Sequence, residues 1–284
     1  MSQTLVNSIN QFYNKPVIDL LVNDDTFPMA KTLRNVSNIY QFSYKRKNDN
    51  KWRQERRLIK NIFRKYDLSI NLTASDRSVI YAILASKNSI SAVEMDIKKS
   101  WWKKFFLSSA YYFDSTKHIL LNNLEPLKIL NINHDLVQDS PNLSIDVESK
   151  IKLKLRNKGI SEFFIFHPSA QYKYKIYPEH LRIELLTYLS KAGKAIVVTG
   201  GKNQIDTDIK NNLPKLQNIF DFIGETTLEE YCMLSKLSLA YIGMDTVNMH
   251  IAASQNKRIF AIFGPTNLSM WSPWSNKLLS LIHI

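Results

Sequence analysis

Short apolar runs of strand length recur along this chain. Each hands over to a polar turn and then to a helix-forming stretch. The second half shows this in Phe163-Phe-Ile-Phe-His167, Ala195-Ile-Val-Val-Thr-Gly200, Ile219-Phe-Asp-Phe222, Leu239-Ala-Tyr-Ile-Gly243 and Lys257-Arg-Ile-Phe-Ala-Ile-Phe263. Helical patterns cover residues 178–192, 206–212 and Thr227–Lys236 between them. Runs with so little polar alternation have no face to give to water, so they belong in a parallel sheet covered on both sides by helices. The first half repeats the alternation. It reads as a helix over residues 3–13, a strand at Val17–Val22, a weaker strand at Asn38–Phe42 and a polar helix over residues 50–65. A strand at Leu68–Leu72, a capping turn at Thr73–Asp76, a helix at Arg77–Ser86 and a strand at Ile90–Val93 follow. Residues 133–145 have turn composition and no periodicity, which places a domain boundary there. The expectation is an α/β protein of two doubly wound domains, residues 1–145 and 146–284.

At 284 residues the chain is long enough for two cores. Its 44% hydrophobic and 22% charged residues are those of a globular protein. No apolar run approaches the ~18 residues that suggest a membrane-spanning helix. The N-terminus lacks the basic and apolar regions of a secretory leader. The single cysteine, Cys232, has no disulfide or metal-ligand partner and reads as a buried structural thiol. The net charge of +13 suits a phosphorylated substrate, an anionic membrane surface or nucleic acid. No zinc-finger spacing, RNA-recognition signature or long basic run is present, which counts against nucleic acid.

The turns after parallel strands share the carboxyl edge of the sheet, where ligands bind. Four of them here are rich in polar residues and glycine: His167–Glu179, Thr199-Gly-Gly-Lys-Asn-Gln204, Gly224-Glu-Thr-Thr-Leu228 and Asp245-Thr-Val-Asn-Met-His250. Gly264-Pro265-Thr266 adds a fifth. Gly200 and Gly201 let a ligand approach the backbone. Ser169 and a lysine of the first turn, Lys173 or Lys175, can reach phosphate oxygens. Thr246 is placed to cap a helix whose unpaired N–H groups point outward, and such a terminus receives an anion. A phosphate-bearing ligand is therefore expected.

Taken together, these turns resemble glycosyltransferase family 9, the heptosyltransferase family of lipopolysaccharide core assembly. The family's late signature is matched by Asp245-Thr246-Val247-Asn248-Met249-His250-Ile251-Ala252-Ala253, then Phe263-Gly264-Pro265-Thr266 and Trp271-Ser272-Pro273. Its His-Pro-Gly/Ser turn is matched by His167-Pro-Ser169 with Lys175-Ile-Tyr-Pro178, its Thr-Gly-Gly turn by Thr199-Gly-Gly201, and its Gly-x-Thr-Ser-Leu by Gly224–Leu228. The first half matches more loosely, through Pro16–Val22 and Tyr66–Ser78. The resemblance implies a GT-B fold, with two Rossmann-like domains facing a cleft. It implies inverting transfer of a sugar, heptose from ADP-heptose, onto a lipid-linked lipopolysaccharide or lipooligosaccharide core at the cytoplasmic face of the inner membrane. No obligatory metal or cofactor is implied. The donor-binding residues it implies are Ser169, Gly200, Gly201, Thr226, Asp245, Thr246, Val247, Asn248, Met249 and His250. Lys175 is implied as the cation that stabilises the leaving diphosphate.

Three departures accompany the resemblance. Val247 stands where the family has glycine, and a β-branched residue fits a left-handed turn poorly. Lys202-Asn203-Gln204 stand where an acidic residue often follows the Gly-Gly turn. The family's first strand and its Gly-Asp turn, whose aspartate is the expected general base, have no counterpart ahead of residues 2–8, and Leu278–Ile284 precede the family's last helices. The reading therefore expects a shortened chain, missing its first strand and with no general base assigned. A noncatalytic remnant that keeps only donor binding is the competing reading. Asp19, Asp24 and Asp25 read as a solvated loop, and His167 as a turn or core residue. The segment Lys98–Leu107 mixes cations with aromatics. It reads either as an anionic-membrane contact or as a partly buried helix with snorkelling lysines.

Overall fold

The computed structural model describes residues 2–44, 49–136, 139–275, 277 and 279–283. The chain separates into two compact units, residues 1–137 and 138–284. That division falls inside the turn-rich stretch at 133–145, of which Val137 and Gln138 lie outside the described residues, as do Met1, Leu278 and Ile284.

Unit 1 runs α1 (Gln3–Phe12), β1 (Asp19–Asn23), α2 (Phe27–Ala30), β2 (Asn38–Phe42), α3 (Asp49–Ile62), β3 (Leu68–Asn71), α4 (Asp76–Ala85), β4 (Asn88–Val93), α5 (Ile97–Phe106), β5 (Ser109–Tyr112) and α6 (Ile119–Ile129). Its strands are all parallel and form two sheets, β1-β2 and β3-β4-β5. Asp19 links them. Read from the sequence as a solvated loop acid, it instead opens β1 with its side chain 3% exposed. Its carboxylate accepts hydrogen bonds from Asn38 (2.8 Å), from the Tyr66 hydroxyl ahead of β3 (2.8 Å) and from Lys65 (3.3 Å). Burial alone raises this carboxyl, but the three donors outweigh it and hold it below its usual range. Asp24 is engaged as well, accepting from the Ser43 hydroxyl at 2.6 Å.

Unit 2 runs α7 (Ile145–Asn157), β6 (Phe163–His167), a single 3₁₀ turn (Lys173–Lys175), α8 (Glu179–Ser190), β7 (Ala195–Val198), α9 (Gln204–Asn211), β8 (Ile219–Asp221), α10 (Leu228–Leu237), β9 (Ala240–Met244), α11 (Val247–Ser254), β10 (Arg258–Phe263), α12 (Leu268–Trp271) and β11 (Leu279–His283). The six strands form one parallel sheet in the order β11-β10-β9-β6-β7-β8. This is the doubly wound order, reversing direction between β6 and β9. Phe166, Ile196, Val198 and Ile242 from the sheet pack with Leu186 and Ile209 from the helices. Each fully buried side chain of this kind contributes about 1.5–3 kcal/mol. Cys232 is a buried free thiol in α10.

Among the described residues of unit 1, β1 and β3 share no ladder.

The segment read as cationic and aromatic forms α5, and its anchor is not a snorkelling lysine. Lys103 is fully buried. Its ammonium donates to the Ala74 carbonyl (2.6 Å) and to both Glu94 oxygens (2.8 and 2.7 Å), and pairs with Asp76 (2.7 Å). This cluster fastens α5 to β4 and to the start of α4. Replacing Lys103 by Met leaves the Glu94 carboxylate and the Ala74 carbonyl without their donor. The expected loss of unfolding free energy is about 2–3 kcal/mol, below the full buried-pair figure because Asp76 is solvated. Urea denaturation of K103M against wild type measures it.

Candidate functional site

The turns singled out in the sequence lie at the carboxyl edge of the six-stranded sheet, because all of its strands are parallel. The tightest point is where the strand order reverses. There Gly243 of β9 lies in register with His167 of β6. A Cβ on Gly243 would stand 2.3 Å from the His167 carbonyl oxygen, closer than any side chain tolerates. Glycine at this position is what lets the two strand ends, and the turns that follow them, approach each other.

His167 is buried at the end of β6, between two of the turns. Its Nδ1 lies 2.9 Å from the Thr199 hydroxyl, and Asn248 Nδ2 lies 3.0 Å from its Nε2. Burial pushes the imidazole down to about 4, outweighing the attraction of Asp206 and a hydrogen bond with the Thr199 backbone. The ring is therefore neutral at physiological pH and accepts from the Asn248 amide. The residue read as a turn or core histidine thus holds one of the predicted donor-binding residues in place.

A second group forms one strand further on. Lys175, at the end of the 3₁₀ turn, donates to the Thr266 hydroxyl at 3.1 Å. Thr266 in turn hydrogen-bonds Asp245. Gly264 lies under Lys175, where a Cβ would stand 3.4 Å from the lysine Cα. Burial raises the Asp245 carboxyl above its usual value, and the Thr266 hydrogen bond and the Lys175 charge offset part of the rise. Lys173, the sequence's competing candidate, is exposed. Thr266 was quoted in the sequence only as part of a turn; the structure makes it the link between Lys175 and Asp245.

Thr246 takes the N-cap position of α11, but its hydroxyl makes no capping bond, contrary to the sequence expectation. Val247 begins the helix without a positive φ, so the backbone strain expected of a β-branched residue there does not arise. Its side chain is half exposed. The Met249 side chain faces the core, fully buried, rather than the edge. His250 is half-buried one residue on, and Ser169 is buried in the turn after β6. Thr226 is half-buried in a turn tied to the Gly-Gly turn by the Gly224 N–H, which donates to the Gly200 carbonyl at 3.1 Å.

The sequence reading passed over Asp206, which is buried in the first turn of α9. Its carboxylate lies under the Gly-Gly turn, where a Cβ on Gly200 or Gly201 would meet it at 2.8 Å. Asn203 and Asp206 bond each other's backbone in a capping box that opens α9 (3.0 and 3.2 Å). The Asn-x-x-Asp spacing was the available signal.

Gly243→Ala is expected to cost about 3 kcal/mol or more by forcing β9 off β6, read as a lower urea midpoint. The buried imidazole sets a pH dependence. Between pH 6.5 and about 4 the unfolded chain takes up a proton that folded His167 refuses. Its contribution, complete above pH 6.5, is lost as pH falls toward 4, by up to about 3 kcal/mol. Denaturation across that window should show a shallower slope in His167→Gln than in wild type.

Known proteins place this arrangement. The family model of glycosyltransferase family 9 (heptosyltransferase) matches residues 55–283. Lipopolysaccharide heptosyltransferase 3 of Escherichia coli is 24% identical over 286 residues, covering 98% of this chain and 83% of that protein. Lipooligosaccharide heptosyltransferase 2 of Campylobacter jejuni is 24% identical over 185 residues, covering 61% of this chain and 57% of that protein. Among solved structures, a family 9 glycosyl transferase from Veillonella parvula superposes with a TM-score of 0.83 at 14% identity, covering 100% of this chain and 81% of that one. The E. coli heptosyltransferase WaaC with ADP superposes with a TM-score of 0.79 at 13% identity, covering 99% and 88%. The fold is thus the one these GT-B glycosyltransferases share, and the matched residues carry every turn of the site: the chain belongs to glycosyltransferase family 9, the heptosyltransferases.

Proposed function

We propose that this chain transfers heptose from ADP-heptose, with inversion, onto a lipid-linked lipopolysaccharide or lipooligosaccharide core at the cytoplasmic face of the inner membrane. The observation that carries the proposal is the Lys175–Thr266–Asp245 group beside the N-terminus of α11. A diphosphate there meets the Lys175 ammonium and the helix's first-turn N–H groups, and the positive end of the helix dipole favours its charge. As the bond from the anomeric carbon to the diphosphate breaks, negative charge grows on the leaving oxygen. A cation held in advance by Thr266 and Asp245 stabilises that charge without reorganising. The acceptor hydroxyl attacks from the opposite face of an oxocarbenium-like sugar, which inverts the anomeric centre. Gly200, Gly201 and Thr226 line the same edge on the donor's far side, and Asn248, held by His167, faces it from α11. The relatives named for lipopolysaccharide and lipooligosaccharide heptosyl transfer support this substrate class. Among the described residues no helix is long and apolar enough to cross a membrane.

A second reading, donor binding without transfer, rests on the site itself: Lys175, Thr266 and Asp245 serve the donor side, and no described residue is assigned as the acceptor's general base.

Lys175→Ala is expected to lower kcat by on the order of 10²–10³, with ADP binding weakened far less. Titration calorimetry with ADP and ADP-heptose, followed by a transfer assay on a core acceptor, separates the readings. Turnover lost in Lys175→Ala and Asp245→Ala supports the transferase. Binding with no turnover in wild type supports the second reading, and a chain that binds neither nucleotide defeats both.

A further inference from the structure

α5 is built inside out. Its innermost positions carry Ser100 and Lys103, both fully buried, whereas Ile97, Trp101 and Phe105 stand 72%, 65% and 79% exposed. These three are spaced i, i+4 and i+8, so they form one outward stripe. A helix anchored to its own domain ordinarily turns such a stripe inward. Here the Lys103–Glu94–Asp76 cluster, together with half-buried Trp102 packed on Val79 and Val93, holds the helix by its other side. A single exposed apolar side chain is ordinary, but a continuous stripe marks an interaction surface.

The charges around the stripe say what it meets. Lys98, Lys99 and Lys104 occupy exposed positions of the same helix, and the Lys104 ammonium lies 4.2 Å from the ring of half-exposed Tyr112. The acid at the start of α5 is occupied: Asp96 caps the helix through the Lys98 N–H at 2.9 Å. α5 packs beside α4, and α4 beside α3, so the three helices form a row. α3 adds exposed Trp52 with Arg53, Arg56, Arg57 and Lys60 at exposed positions. The result is an apolar and aromatic ridge set among cations, the pattern of a helix lying in an anionic lipid interface.

We propose that this face of unit 1 docks on an anionic bilayer surface. Ile97, Trp101 and Phe105 enter the boundary between headgroups and acyl chains, and the flanking lysines and arginines meet lipid phosphates. Aromatic and basic residues also serve single-stranded nucleic acid. Aliphatic Ile97 in the stripe, and exposed Met95 just ahead of it, can enter hydrocarbon but offer bases nothing to stack on. The inference rests on this surface alone and stands whether or not the chain transfers heptose.

Co-sedimentation of the full chain with phosphatidylcholine vesicles, and with vesicles that also contain phosphatidylglycerol, tests it. Wild type is expected to bind the anionic vesicles only, more weakly as salt rises. Replacing Lys98, Lys99 and Lys104 by Gln should weaken that binding on the order of a hundredfold, at about fivefold per lysine. The double variant Trp101→Gln with Phe105→Gln should lose it by at least tenfold while keeping its circular dichroism, since both side chains are exposed. Should either variant fail to fold, the lipid and salt dependence of wild type still decides. Wild type that ignores anionic vesicles, or folded variants that bind them as wild type does, overturns the proposal. So does a loss confined to single-stranded DNA binding, or to self-association on size exclusion, with vesicle binding unchanged.

Discussion

The close approach of β6 and β9 is the constraint on which the site depends. In a parallel sheet covered on both faces, ligand chemistry is confined to the strand ends, and the usable crevice lies where the strand order reverses. Here that reversal pairs His167 with Gly243, with no room for a Cβ between them. From that contact follow the position of the Asp245–Asn248 turn, the exposed N-terminus of α11 and the reach of Asn248 to the His167 ring. Thr266 then extends the arrangement across β10 to Lys175.

Burial shapes the electrostatics of the two units in different ways. At the edge of unit 2 it removes charge from His167 and works against charge on Asp245, so Lys175 is the cation at the point where a diphosphate is expected. In unit 1 it gathers charge instead. Lys103 sits inside, held by two carboxylates and a carbonyl, and this inward anchor leaves the aromatic side of α5 outward. A buried lysine with full pairing is costly to lose and geometrically exacting, which suits it to fixing which side of a short helix faces the core.

Much of unit 2 could be read from the residues. The apolar runs at Phe163, Ala195, Ile219 and Leu239 became strands because continuous apolar segments of four to six residues suit a buried parallel sheet. The region between Val93 and Phe163 was largely unassigned, and it holds α5, β5, α6 and α7. α5 hid because its periodicity is inverted. α6 carries Pro126 inside it, and α7 begins at Ile145 with Ser144 as its cap, within the stretch read as a boundary. In the site, Lys175 and Asp245 were legible as motif members. Asp206 was legible only as the acid of a capping box; its place under the Gly-Gly turn depends on that turn folding over it.

The sequence by itself determined the alternation of strands and helices, the parallel sheet of unit 2, the set of turns at its edge and the family they belong to. These follow from local spacing: apolar runs, capping residues and glycines act over a few positions. Only the tertiary structure decided which lysine joins Thr266 and Asp245, that Val247 enters α11 without strain, that His167 is a neutral hydrogen-bond acceptor, and that α5 turns its aromatics outward. Each of these depends on groups far apart in the chain: Lys175 with Thr266, His167 with Asn248, and Lys103 with Asp76. Burial and pairing are properties of the packed chain, and no window along the sequence contains them.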